Sequence, residues 1–235
     1  MDAKTHLDNL RQELNGVFDQ TVREALDAGQ SHYFSTCLFD FAEQLEDEAE
    51  RKIITTVCAQ IQGATLTAAF GLYRQAFSSL RLALEMGLSA AYFSIHRLEL
   101  NEWLDGREDI HWNRLIDDER GVLSTRFAKA FFPELSSEIK ATKEDAITLY
   151  RNLSEFVHGN NETWEASGLS IKYRLDICRK YETQCKKIFE IILMTLCCRH
   201  LKSFKAESLE ALAFIPDEFT HIGAIREIFG GPKDI

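Results

Sequence analysis

Arg151 and His158 stand seven positions apart in the stretch Tyr150-Arg151-Asn152-Leu153-Ser154-Glu155-Phe156-Val157-His158-Gly159. If this stretch is helical, ~100° per residue brings the two back to within ~20° of one another, on one stripe. Ala146, Leu149, Tyr150, Leu153, Phe156 and Val157 recur at helical spacing and centre on the opposite side. The histidine is therefore expected on a polar face with Arg151, Ser154 and Glu155, in the last turn before a glycine stop. A guanidinium and a titratable imidazole beside one groove are suited to phosphate chemistry. The imidazole can give or take a proton, and the guanidinium presents a two-pronged donor to phosphate oxygens.

A second group of candidates is Arg74, Ser78, Arg81 and Glu85, whose 4, 3, 4 spacing puts them on one stripe of an otherwise apolar helix containing Phe70, Leu72, Phe77, Leu80, Leu82, Leu84, Met86 and Leu88. A helix apolar nearly all round is buried, so its polar stripe must face groups that satisfy it. Two readings are open. Arg81 and Glu85 form an internal ion pair that holds the bundle in register, or the stripe forms the floor of the groove whose rim carries Arg151 and His158.

These side chains need helices to hold them, and the sequence predicts an all-α chain. No stretch alternates with period two between turn residues, and only three prolines interrupt it. Helices are expected over about His6 to Ala28, closed by Gly29, and from a Ser31 cap through Leu45. A continuous helical pattern from about Ile53 to Leu104 is expected to break near Gly63 or Gly71 and again near Gly87. A short helix before Gly121, another over about Ser124 to Phe132, the motif helix over about Lys143 to His158, a polar loop from Gly159 to Trp164 and a long helix over about Leu169 to Lys205 follow. One or two short helices should complete the tail.

Composition narrows the function. The formal net charge is −10, which disfavours a protein that coats nucleic acid nonspecifically. Charge is uneven: Glu43 to Glu50 holds five acids in eight positions, whereas Lys172 to Lys187 holds six basic residues against two acidic, extended by Arg199, Lys202 and Lys205. Each run reads either as solvated surface or, for the basic one, as a local electropositive face. The six cysteines form no C-x-x-C pair and no metal-like spacing with histidine, so reduced, packed thiols, a cytoplasmic setting, no metal and no cofactor are expected. Glu155 and His158 do form Glu-x-x-His, but no second such helix accompanies them. The most apolar window, Ile188 to Cys198, is too short to span a membrane, and no signal peptide is expected.

Arg151-Asn152-x5-His158 resembles the R-x(4–6)-H motif of HEPN domains, helical-bundle proteins that include prokaryotic toxins, antiviral effectors and RNA-processing nucleases. The polar Asn152 directly after the arginine fits that pattern. The segment Tyr73 to Glu85 is also similar to helical bacterial proteins of the class. No repeat at a fixed period and no low-complexity linker divides the chain, so one helical domain over 1–235 is expected. The likeness covers about residues 50 to 205 and implies a HEPN-like core there, with extra N- and C-terminal helices. It further implies a metal-independent endoribonuclease acting in defence or as a toxin, with Arg151, His158 and Asn152 catalytic and Glu155, Ser154, Arg81, Glu85 and Arg74 in support. The alternative is a HEPN-like module without catalysis, serving dimerisation, sensing or regulation. The toxin subgroup silenced by a partner nucleotidyltransferase has a tyrosine two positions after the histidine. Asn160 stands there, so that silencing is not implied. Because Arg151 and His158 of one chain are ~10 Å apart along the helix at ~1.5 Å per residue, an antiparallel copy would bring each opposite its complement. A homodimer is therefore expected, and the resemblance implies RNA as its substrate and a partner protein of a defence or toxin–antitoxin system.

Overall fold

A computed structural model describes residues 2–24, 28–158 and 171–232. Among these the fold is all-α, a helical bundle without a strand. The helices are α1 (Ala3–Glu24), α2 (Ala28–Glu43), α3 (Glu48–Ala69), α4 (Tyr73–Ile95), α5 (Arg97–Leu104), α6 (Trp112–Leu115), α7 (Thr125–Phe131), α8 (Ser136–His158), α9 (Leu175–His200), α10 (Ala206–Ala211), α11 (Ile215–Glu218) and α12 (Gly223–Ile228). No helix of the described residues is long and apolar enough to cross a membrane.

The bundle is built around α9. Its second half, Ile188 to Cys198, is buried at every position but Glu190, so this segment is apolar all round because helices cover it on every side. Side-chain contacts fix the directions of its neighbours. Tyr73 meets Cys178, Gly87 lies against Ile192, and Ser94 meets Arg199. Both partners advance together, so α4 runs parallel to α9. Thr65 meets Tyr181 while Glu50 meets His200, which makes α3 antiparallel to it. Phe77 stacks on Phe156 and Arg81 lies over Tyr150, so α8 runs antiparallel to α4. The apolar tail residues Leu212, Ile215, Phe219, Ile222 and Ile225 join the same continuous core as Phe34 and Leu38 of α2. By contrast, α1 buries only Val17 and Thr21.

Local chemistry sets the ends. Asp47 caps α3 by accepting the Glu50 amide, and Ser124 caps α7 by accepting that of Phe127. The predicted break of the long pattern occurs at Gly71, whose φ of 74° is the left-handed conformation glycine tolerates best. Gly63 and Gly87 lie inside helices; Gly87 is instead the close-packing point of α4 on α9. The next break falls at His96.

Several boundaries differ from the sequence reading: α3 starts at Glu48, five residues before the expected Ile53, and the described tail forms three short helices rather than one or two. Gly29 does not close α1, because α2 begins at Ala28 and Ser31 is a buried residue inside it rather than its cap. The motif helix starts at Ser136, seven residues before the expected Lys143, because the Pro133–Leu135 turn of 3-10 helix feeds straight into it. The long helix ends at His200 and passes into a short 3-10 turn before Lys205. Gly159, Asn160, the loop through Trp164 and the expected Leu169 start lie outside the described residues.

Candidate functional site

The last two turns of α8 are held by α4. Ala146, Leu149, Leu153 and Phe156 are buried, whereas Arg151 and His158 are exposed, so the apolar stripe packs inward and carries the Arg–His stripe outward. Arg74, in the first turn of α4, secures the end of α8: its Nε donates to the Phe156 carbonyl at 2.9 Å and its Nη2 to the Val157 carbonyl at 3.2 Å. Carbonyls at a helix C-terminus have no partners within the helix, and a guanidinium also suits the negative end of the helix dipole. His158 is thereby set on a capped turn.

About two turns further along α4, Arg81 gathers a polar cluster. Its Nη1 stands 3.4 Å from His158 Nε2, and its Nη2 stands 3.4 Å from Glu85 Oε1 and also donates to the Tyr150 hydroxyl. The guanidinium carbon lies 4.6 Å from the centre of the Tyr150 ring, which stacks on Trp112 of α6 at 3.9 Å. Burial, with Glu85 alongside, raises the Tyr150 hydroxyl above its ordinary 10.0, so it stays a neutral donor and acceptor. Arg81 and Glu85 thus pair internally, as the first reading of the α4 stripe expects, and Arg81 also reaches His158 but not Arg151.

The other sequence candidates are distributed differently. Arg151 is exposed and forms no hydrogen bond or ion pair with the other described residues. Asn152 is half-buried and lines a separate groove between α8 and α9, with Arg179, Lys180, Gln184 and Lys187. Ser154 and Ser78 donate their hydroxyls to the Tyr150 and Arg74 carbonyls one turn back, at 2.7 and 2.8 Å, so both are tied to their own helices. Glu155 is half-buried. Within one chain, Arg81 and His158 converge, whereas Arg151 lies two turns away.

Sequence reasoning missed Tyr150 and Trp112. Tyr150 was grouped with the apolar stripe, although its place directly before Arg151 could have marked it; Trp112 comes from a distant four-residue helix with no local signal. The basic run also divides. Arg179, Lys180, Lys186 and Lys187 are exposed on the first half of α9, but Arg199 donates to Ser94 and lies over Phe131, and Lys202 pairs with Glu134. At the far end of the bundle His200 Nε2 lies 2.7 Å from Glu50 Oε1, a buried pair with no sequence signature. All six cysteines are free and buried, and burial pushes the thiols of Cys58 and Cys198 up to about 12, which rules them out as ready nucleophiles. Among the described residues no three side chains of His, Cys, Asp or Glu are grouped to hold a metal ion. The chain matches no family model, and neither the curated proteins nor the solved structures contain a match to it.

Proposed function

We propose that this protein is a HEPN-type, metal-independent endoribonuclease of prokaryotic defence or toxin systems, acting as a two-fold dimer. The observation that supports this most is the pairing of an exposed Arg151, which forms no ion pair among the described residues, with a His158 held at the surface by Arg81 on a turn capped by Arg74. His158 takes the proton of a ribose 2′-OH. The freed oxygen bonds to the adjacent phosphorus, and the bond from phosphorus to the 5′ oxygen breaks. A 2′,3′-cyclic phosphate remains on one fragment, and the departing oxygen leaves as a 5′-OH after taking up a proton. Arg151 stabilises the extra charge on the phosphorane with its planar fork. Two turns of helix are too far for both groups of one chain to share a phosphate, so the partner's copy of α8 supplies the second group.

Complementation tests this reading. Arg151→Ala and His158→Ala should each abolish cleavage of single-stranded RNA and growth inhibition on overexpression, and the wild-type activity should persist in EDTA. Mixing the two inactive proteins gives heterodimers in about half the population, each with one intact composite site, so about a quarter of wild-type activity should return. No return of activity would place both groups in one chain and defeat the composite site. Intact RNA with wild-type protein, and full biological effect from His158→Ala, would favour a non-catalytic dimerisation or sensing module, the reading that the net charge of −10 supports.

A further inference from the structure

We infer that the groove between α8 and α9 is a nucleotide-binding subsite, which holds a base and phosphate of the strand presented to Arg151; this rests on the ribonuclease reading above. The groove has a volume of about 340 Å³, within the range that takes a small ligand. Arg179, Lys180 and Lys187 stand on its α9 side against one carboxylate, Asp145, and none of the three cations forms an ion pair with the other described residues. Its floor is Gln184, only 5% exposed, whose side-chain oxygen has no hydrogen-bond partner among the described residues. Arg51 Nε, Arg81 Nε and the Tyr173 hydroxyl are the other buried side-chain polar atoms without a hydrogen-bond partner among the described residues, and of the four only the Gln184 oxygen belongs to this groove, where a ligand can supply the missing donor.

The chemistry of these side chains identifies that ligand. Arginine and lysine suit a phosphodiester, whereas a carboxamide pairs with a base edge, adenine above all, through its exocyclic amine and ring nitrogen. Asn152 provides a second carboxamide in the same groove, from the position directly after Arg151. A rotation of ~100° about α8 separates the two, so a phosphate held by Arg151 leaves its neighbouring nucleotide at the groove mouth. Asn152 is thus a binding residue for the strand.

Binding of 2′-O-methyl oligoadenylate and oligouridylate, which lack the attacking hydroxyl and cannot be cleaved, separates the subsite from catalysis. Anisotropy should show several-fold tighter binding of oligoadenylate. Arg179→Glu with Lys187→Glu should weaken both by roughly tenfold or more and lower the salt slope by about 1.4, since each phosphate contact contributes ~0.7 on a single strand. Arg179→Gln with Lys187→Gln should show the same direction if the charge reversal impairs folding. Gln184→Leu should keep most affinity and lose the adenine preference. Unchanged affinity in the charge variants while wild type still cleaves RNA overturns the subsite and leaves the ribonuclease reading standing. Groove-dependent binding without any cleavage does the reverse. Adenosine monophosphate displacing the oligomer at equal nucleotide concentration would assign the groove to a free nucleotide and overturn the strand path.

Discussion

The guanidinium of Arg74 in α4 donates to the carbonyls of Phe156 and Val157, eighty-two and eighty-three residues further along the chain. The helix that carries His158 is thus terminated by a side chain of another helix. Arg74→Gln should remove charge-assisted bonds from a partly buried site and destabilise the fold by ~1.5–3 kcal/mol. Amide exchange should quicken first between Leu153 and His158. Unchanged protection there would show that α8 holds its last turn without α4.

Glu85→Gln weakens the restraint on Arg81. The pair is 3.4 Å apart, with side chains 19% and 20% exposed, so its cost should fall between that of surface and buried pairs, roughly 1–2 kcal/mol. Melting should drop by about 2–8 °C in a domain of this size. Because Arg81 also contacts His158, cleavage per folded molecule should drop as well; activity that merely tracks the folded fraction would make the pair purely structural.

Gly87 is a packing glycine. A Cβ there would sit 2.4 Å from Ile192 Cδ1 and 2.5 Å from its Cγ1, in a fully buried contact. Overpacking costs ~1–3 kcal/mol, against a gain of up to ~1 kcal/mol from replacing glycine by alanine in a helix. Gly87→Ala should therefore destabilise in urea unfolding, and adding Ile192→Val should recover part of the loss. A Gly87→Ala protein more stable than wild type would contradict the α4–α9 register.

Asp47 should make stability depend on acid pH. Burial opposes its ionisation, but the Glu50 amide and Arg97, 2.7 Å away, outweigh this and hold its pKa below the ordinary 3.8. A carboxylate depressed in the folded state contributes fully above its unfolded value, and that contribution is lost as pH falls through the folded one. Asp47→Ala should cost ~1–2 kcal/mol at pH 7, and the gap from wild type should narrow below pH ~3.8. A gap that stays constant down to pH ~2 would exclude a role for the charge.

The sequence by itself determined the all-α class, most of the long helices and the facing of α8, because these follow from a 3.6-residue period that local spacing records. Leu149, Leu153 and Phe156 had to point inward and Arg151 and His158 outward. It also marked Arg74, Arg81 and Glu85, since polar groups on an apolar helix require partners. Who those partners are was decided only in three dimensions. That Arg74 meets Phe156, that Arg81 joins Tyr150 to His158, and that Asn152 faces the α9 groove rather than His158 all depend on α4 and α8 running antiparallel with α9 beside them. The order of residues along a helix fixes the angle at which each leaves it. Which helix lies at that angle is set by burial summed over the whole core, a property that no local window of sequence contains.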